Sequence, residues 1–257
     1  MPEGIPTLTR AGRLATITLR RPSQRNSLTD EDLETLLAHF AAVDADETIS
    51  VLLLQAQTHD AAQPVFSAGY HVGGFDADVM APLFFEKIPE ALARLRPVTV
   101  CAVSGSVYGG ATDLVLACDL RVGLQGAQWR MPACAIGLHY YPSGLRRYVS
   151  QLGLGLTQQA FLLGQPLAFE DLQARELFVR LAPVADWQAS VDAVIEPLLR
   201  MAPLALTATK RSLQEIGAGA YSEARLRERS RQSVHSADFA EGRLAMAERR
   251  APRFEGR

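Results

Sequence analysis

Apolar residues recur along this chain with two periods, and the changes between them mark out the elements. Residues 14–19 (LATITL) alternate apolar and β-branched polar positions, the period of a strand with one buried face. Leu33, Leu36, Leu37, Phe40 and Val43 keep helical spacing behind Thr29 and Asp32, which stand at the separation of a capping box. Residues 49–54 (ISVLLL) and 98–103 (VTVCAV) are short and almost continuously apolar, which suits strands of a sheet covered on both faces. Between them Phe84, Phe85, Ile88, Leu92 and Leu95 predict a helix ending before Pro97. Residues 119–122 predict a short strand, and 125–141 read as irregular. From Ser143 onward helical spacing prevails, in 145–152, 157–163, 169–177, 191–201 and 204–216, followed by two charged helices reaching Arg250. Strands alternating with helices, and then helices alone, predict an α/β core over residues 1–195 and a helical C-terminal region over 196–257.

Two segments fit neither period. After the strand at 98–103, Gly105, Gly109 and Gly110 break the pattern, and Asp113, Leu114, Leu116, Ala117 and Cys118 predict a short buried helix. Backbone N–H groups opening a helix lack intrahelical partners, and the helix dipole there favours negative charge. A glycine pair lets a ligand approach the backbone closely, and Asp113 follows within one turn. The second segment, residues 57–75 (QTHDAAQPVFSAGYHVGGF), is too long and glycine-rich for a mere connector. Either segment alone reads as a glycine turn. Together they place two small-residue turns, each behind an apolar strand, where two N–H groups can converge on one oxygen. Such a pair is an oxyanion hole, each donor lowering a barrier by about 3 kcal/mol.

Composition narrows the field. The chain has 257 residues, 48% of them hydrophobic, and a net charge of −2, which gives no reason to expect a nucleic-acid or anionic-membrane partner. No run approaches the roughly 18 apolar residues of a membrane span, and MPEGIPTLTR carries no signal-peptide core. Cys101, Cys118 and Cys134 sit among apolar neighbours with no C-x-x-C pair, so buried reduced thiols and a cytoplasmic location are expected. His39, His59, His71, His139 and His235 are scattered, so no metal site is expected. Phosphate-loop, nucleophile-elbow and dinucleotide-binding patterns are absent. Arginines near 225–231 alternate with glutamates, as on a solvated helix face.

The stretches LATITLRRPSQRNSL, PVFSAGYHV, PVTVCAVSGSVYGGATDLVLACDLRV and EGRLAMAERRAPRFEG, in that order, resemble the crotonase, or enoyl-CoA hydratase/isomerase, superfamily. The resemblance covers nearly the whole chain. It implies a spiral of four ββα units with C-terminal helices that build trimers, often paired into hexamers. It also implies an acyl-CoA thioester substrate, with CoA as part of that substrate and no further cofactor. The thioester oxygen would sit between the N–H groups of Tyr70, after Ala68 and Gly69, and of Gly110. Tyr108, Gly109, Ala133 and Tyr141 would join them in binding the acyl part. Arg25 and Ser27 match the segment contacting the nucleotide end of CoA, and Arg250 and Phe254 match residues that touch the adenine end, often of a neighbouring subunit. Cationic contacts suit the phosphates of that end.

Departures from the family pattern sharpen the expectation. Hydratases of the family use two glutamates; here the first position is Asp113 and the second, in 129–133 (WRMPA), is Ala133. With one carboxylate, hydration lacks a group either to deprotonate water or to handle the α-proton. The family's dienoyl-CoA isomerases also carry aspartate at the first position. Residues 137–142 (GLHYYP), with GSVYGG and FSAGYH, resemble the family's methylmalonyl-CoA decarboxylases, in which the residue matching Tyr140 orients the leaving carboxylate. Those enzymes have histidine at Tyr70 and glutamate at Asp113. Packing alone would equally account for Tyr140 and Tyr141. The leading expectation is an acyl-CoA lyase or isomerase working through a thioester enolate, with Asp113 as acid/base. A short malonyl-type decarboxylase and a catalytically silent CoA-thioester binder are the alternatives.

Overall fold

The first unit of the fold is a hairpin and a helix. Strands β1 (Gly4–Ala11) and β2 (Leu14–Arg20) pair antiparallel, and α1 (Asp30–Asp44) follows. Helix α1 starts where the sequence places it: Thr29 accepts from the Asp32 N–H, and the Asp32 carboxylate accepts from the Thr29 N–H at 2.9 Å. This computed structural model describes residues 3–58, 63–71 and 81–257. His59, Val72 and the rest of the glycine-rich loop at 59–62 and 72–75 lie outside the described residues.

Three further units repeat one order: a strand in a large sheet, a short strand in a small one, then a helix. They are β3 (Val51–Ala56), β4 (Val65–Ser67) and α2 (Ala81–Arg94); β5 (Val98–Val103), β6 (Ser106–Tyr108) and α3 (Gly110–Leu116); β7 (Leu120–Leu124), β8 (Gln128–Arg130) and α4 (Pro142–Gln158). Strands β9 (Leu167–Ala168) and β10 (Arg180–Ala182) complete sheets of order β4-β6-β8-β9 and β1-β2-β3-β5-β7-β10. Everything from β2 to β10 in the large sheet is parallel. The expected four ββα units are present.

Strand alternation explains the continuous apolar runs. Leu52, Leu54, Cys101 and Val103 point into the main core with Leu33, Leu36 and Phe40 of α1. Their neighbours Val51, Leu53, Val100 and Ala102 face the other way, onto Val191 and Ile195 of α6 (Trp187–Leu199). Helix α7 (Pro203–Gly217) is tied to the core by Lys210, whose ammonium donates to Pro97 O at 2.6 Å and pairs with Asp119 at 2.7 Å. Helix α8 (Glu223–Val234) docks on α7 through Arg229, 2.6 Å from Glu215, so that arginine is half-buried rather than solvated; Arg227 and Arg231 do lie on the exposed face. Helix α9 (Ala237–Glu248) ends the ordered elements.

Several expectations need correction. Strands β4, β6 and β8 lie inside segments read as loop or turn; three residues are too few to display a period. The helix expected over 157–163 continues α4 as a single π turn, past a break at Gly153 with φ +73°. The helix at 169–177 stops at Gln173 (α5, Phe169–Gln173). Cys101 and Cys118 are buried free thiols as expected, but Cys134 is exposed, because the apolar stretch around it turns outward at the rim of a cavity, where Ile136 is also exposed.

Candidate active site

The two glycine turns meet. Strands β4 and β6 pair in parallel, Val65 beside Ser106 and Ser67 beside Val107, and the Ser106 N–H donates to Pro64 O at 2.8 Å. The turns leaving these strands are pressed together so closely that glycine is required. At Gly69, with φ +88°, a Cβ would lie 2.7 Å from Tyr108 O and 2.9 Å from Gly110 N. Gly110 is confined by a side chain instead of backbone, since a Cβ there would fall 2.6 Å from the ring of Phe85 on α2.

The segment expected to hold the nucleotide end is stitched to the same turn. Ala68 N–H donates to Arg25 O at 2.8 Å, Ser67 Oγ donates to Asn26 O at 2.7 Å, and Leu28 N–H donates to Gly69 O at 2.9 Å. Ser27 sits inside this clamp, and the Arg25 guanidinium lies over the Tyr108 ring, 5.9 Å from its centroid.

Beside the turns is a cavity of about 350 Å³. Ala68, Tyr70, Tyr108, Gly109, Gly110, Ala133, Tyr140 and Tyr141 all line it, so eight residues singled out in the sequence converge on one space. Phe85, Met131, Ile136 and Leu138 add apolar wall, and His139 stands at the exposed rim. Among the described residues, no carboxylate lines this cavity. Tyr70 donates through its hydroxyl to Asp30 at 2.5 Å, and burial followed by that carboxylate pushes its pKa up to about 12.

Asp113 lies behind the wall. It is 0% exposed, in the middle of α3, and its Oδ2 accepts from the Tyr141 hydroxyl at 2.7 Å. Arg147 Nε is 3.1 Å from Oδ1, yet off the line of a hydrogen bond, so this contact is electrostatic and Oδ1 has no hydrogen-bond donor. Burial raises the Asp113 pKa to about 6; Arg147 and the Tyr141 hydrogen bond oppose the rise, while Glu90 and Glu86 add to it.

Sequence reasoning missed this outer layer. Arg147 bridges Asp113 and Glu90, the latter at 3.3 Å, and Glu86 accepts from Ser143 Oγ at 2.5 Å. The i,i+4 spacing of Glu86 and Glu90 on α2 was a visible signal, but nothing along the chain pairs α2 with α4. Arg250 and Phe254 are not brought to the cavity within this chain. Both lie against α9, Arg250 paired with Glu241 and Glu248 and Phe254 packed beside Gly242. Among the described residues, no cluster of three His, Cys, Asp or Glu side chains could hold a metal ion, and no helix is long and apolar enough to cross a membrane.

Comparison with known proteins places this arrangement. A sequence model of the family described as enoyl-CoA hydratase/isomerase matches residues 9–257. The chain is 26% identical to 2,3-dehydroadipyl-CoA hydratase of Escherichia coli K12, over 97% of this chain and 98% of that protein. It is 28% identical to the mitochondrial enoyl-CoA hydratase domain-containing protein 2 of Mus musculus, over 94% and 84% of the two chains. Among solved structures, an enoyl-CoA hydratase from Bacillus anthracis superposes with a TM-score of 0.88 at 20% identity, covering 99% of this chain and 100% of that one. Pseudomonas aeruginosa DspI superposes with a TM-score of 0.89 at 24% identity, covering 99% and 98%. These two likenesses show the fold.

Proposed function

This chain belongs to the enoyl-CoA hydratase/isomerase family, and from that premise we propose that it catalyses a proton shift on an acyl-CoA thioester through an enolate. The observation that carries the reading is the contact of the Gly69 and Gly110 turns at the wall of an apolar cavity, with one buried carboxylate behind it. In this reading the thioester oxygen lies between the N–H groups of Tyr70 and Gly110. Two donors fixed in a dry site stabilise the developing enolate without reorganising. Asp113 is the base that receives the α-proton and the acid that returns it. A carboxylate raised to about 6 suits this exchange at neutral pH, being ionised at rest and basic enough to accept a proton.

Isomerisation fits better than hydration. Water would need a group to hold and deprotonate it, and Ala133, 3% exposed at the expected place, offers none. Arg25 and Ser27 take the nucleotide end of CoA outside the cavity mouth. Arg250 and Phe254 serve that end only from a neighbouring copy, in a trimer or hexamer, and there a phosphate must compete with Glu241 and Glu248 for the guanidinium. The free cysteines Cys101 and Cys118 accord with a reducing, cytoplasmic setting.

The test is to offer crotonyl-CoA, a β,γ-enoyl-CoA and methylmalonyl-CoA separately. Double-bond migration in the β,γ-enoyl thioester is expected, and Asp113→Asn should slow it by about 100- to 10,000-fold. Carbon dioxide from methylmalonyl-CoA would install decarboxylation instead. Tight binding without turnover of any of them would leave a silent thioester binder.

A further inference from the structure

The base and the cavity do not touch: Asp113 is wholly buried and absent from the cavity wall, and the atom between them is the Tyr141 hydroxyl. That hydroxyl lies 2.8 Å from the hydroxyl of Tyr140, and both rings line the cavity. The pair is built in. The rings stack with centroids 4.1 Å apart, and helix α4 makes room for them with Gly144, where a Cβ would lie 2.4 Å from Tyr140 and 2.6 Å from Tyr141. An ionised carboxylate only accepts hydrogen bonds, so Tyr141 donates to Asp113, and the Tyr141 oxygen is then open to the Tyr140 proton. The chain of hydroxyls is thereby polarised from Tyr140 through Tyr141 to the carboxylate.

We infer that Tyr140 and Tyr141 form a proton relay joining the substrate's α-carbon to Asp113. The inference rests on the proposed enolate chemistry. As the Cα–H bond breaks, its electron pair moves toward the thioester oxygen and its proton binds the Tyr140 oxygen. The Tyr140 proton passes to Tyr141, and the Tyr141 proton passes to Asp113 Oδ2. The net change is enolate plus carboxylic acid, with both phenols restored; the reverse sequence delivers a proton to the γ-carbon. Burial and the nearby carboxylate push both phenol pKa values upward, so neither tyrosinate accumulates and the transfers are concerted. The charged and titratable groups around Asp113 among the described residues are Tyr140 and Tyr141 from the segment before α4, Arg147 and Tyr148 from α4, and Glu86 and Glu90 from α2. Tyr140 and Tyr141 are therefore assigned a step in chemistry, beyond shaping the pocket.

The experiment follows release of tritium into solvent from α-tritiated acetyl-, butyryl- and octanoyl-CoA. In the relay two exchangeable hydroxyl protons move with the carbon-bound one, so release by the native enzyme should slow about twofold or more in heavy water. A carboxylate taking the proton directly moves no exchangeable proton, and an unchanged rate in heavy water overturns the relay. Tyr141→Phe and Tyr140→Phe should each cut release about a hundredfold, while the Kd for butyryl-CoA stays within about threefold of native. A role in packing alone would raise Kd and spare the solvent isotope effect. Retention of native release by either variant, with Asp113→Asn inactive, sinks the relay and leaves the enolate chemistry standing. No release by the native enzyme from any of the three thioesters, together with no migration in the β,γ-enoyl-CoA, removes the enolate chemistry and the relay with it. The isotope measurement uses the unaltered protein and so does not depend on how the variants fold.

Discussion

Asp113 shows how burial sets chemistry at a single residue. Its carboxyl is raised to about 6, chiefly because the ionised form has lost water. If it must be ionised to act, turnover should fall below about pH 6, and a kcat profile with its acidic limb far below pH 5 would rule it out as the base. The stability consequence has the opposite sense. A folded-state pKa above the usual 3.8 means that the native protein holds this proton more tightly than the unfolded chain. The stabilisation is complete below about pH 4 and is lost as pH rises through about 6. Urea titrations across that range should show a slope that Asp113→Asn abolishes. Gly69 is the second residue with a sharp consequence: its φ is positive, and a methyl group there would lie 2.7 Å from Tyr108 O and 2.9 Å from Gly110 N. Gly69→Ala should push the two turns apart and lower kcat about a hundredfold, the cost of losing one of the two N–H donors proposed for the thioester oxygen. Asp113 and Gly69 were both visible in the sequence; Arg147 was not, because its partner is reached only when α4 crosses α3.

Among the elements, α1 is the one most completely written in the chain. Thr29 and Asp32 close a reciprocal cap, Arg21 pairs with Asp32, and the apolar spacing aims Leu33, Leu36 and Phe40 at the core. Thr29→Ala should cost about 1 kcal/mol in denaturant unfolding. Helix α4 depends on its surroundings instead. Its opening at Pro142 sets Ser143 on Glu86, and its Gly144 admits two tyrosine rings, so its first turn serves the cavity as much as the fold. Helix α7 hangs on Lys210, a cation 7% exposed between Asp119 and the Pro97 carbonyl. Lys210→Met removes one partner of a buried pair and should destabilise by about 3 kcal/mol, read as a lower urea midpoint. The short strands β4, β6 and β8 escaped the periodic reading because they carry too few residues, although their parallel pairing brings the two glycine turns together.

At the scale of the whole molecule, the C-terminal helices leave apolar side chains uncovered: Leu213 is 63% exposed and Met246 82%. We take these as surface for copies of the same chain, as in the trimer or hexamer proposed above. Sedimentation should give three or six times the chain mass, and a monomer at micromolar concentration would also remove Arg250 and Phe254 from any active site. By itself the sequence determined the order of β2, β3, β5 and β7 and of the helices between them, since each of those follows from a local period or a cap. It also determined that glycines stand at two turns and that a single carboxylate follows one of them. It set the neutral wall at Ala133 and the two tyrosines, because residue type alone carries those facts. Only the tertiary structure decided which of these meet. Asp113 lies behind Tyr141 rather than in the cavity, Glu90 comes to Arg147 from a different helix, and the Gly69 and Gly110 turns touch. Those relations join residues far apart in the chain through sheet pairing and helix packing, and a local period records no distance between two separate segments.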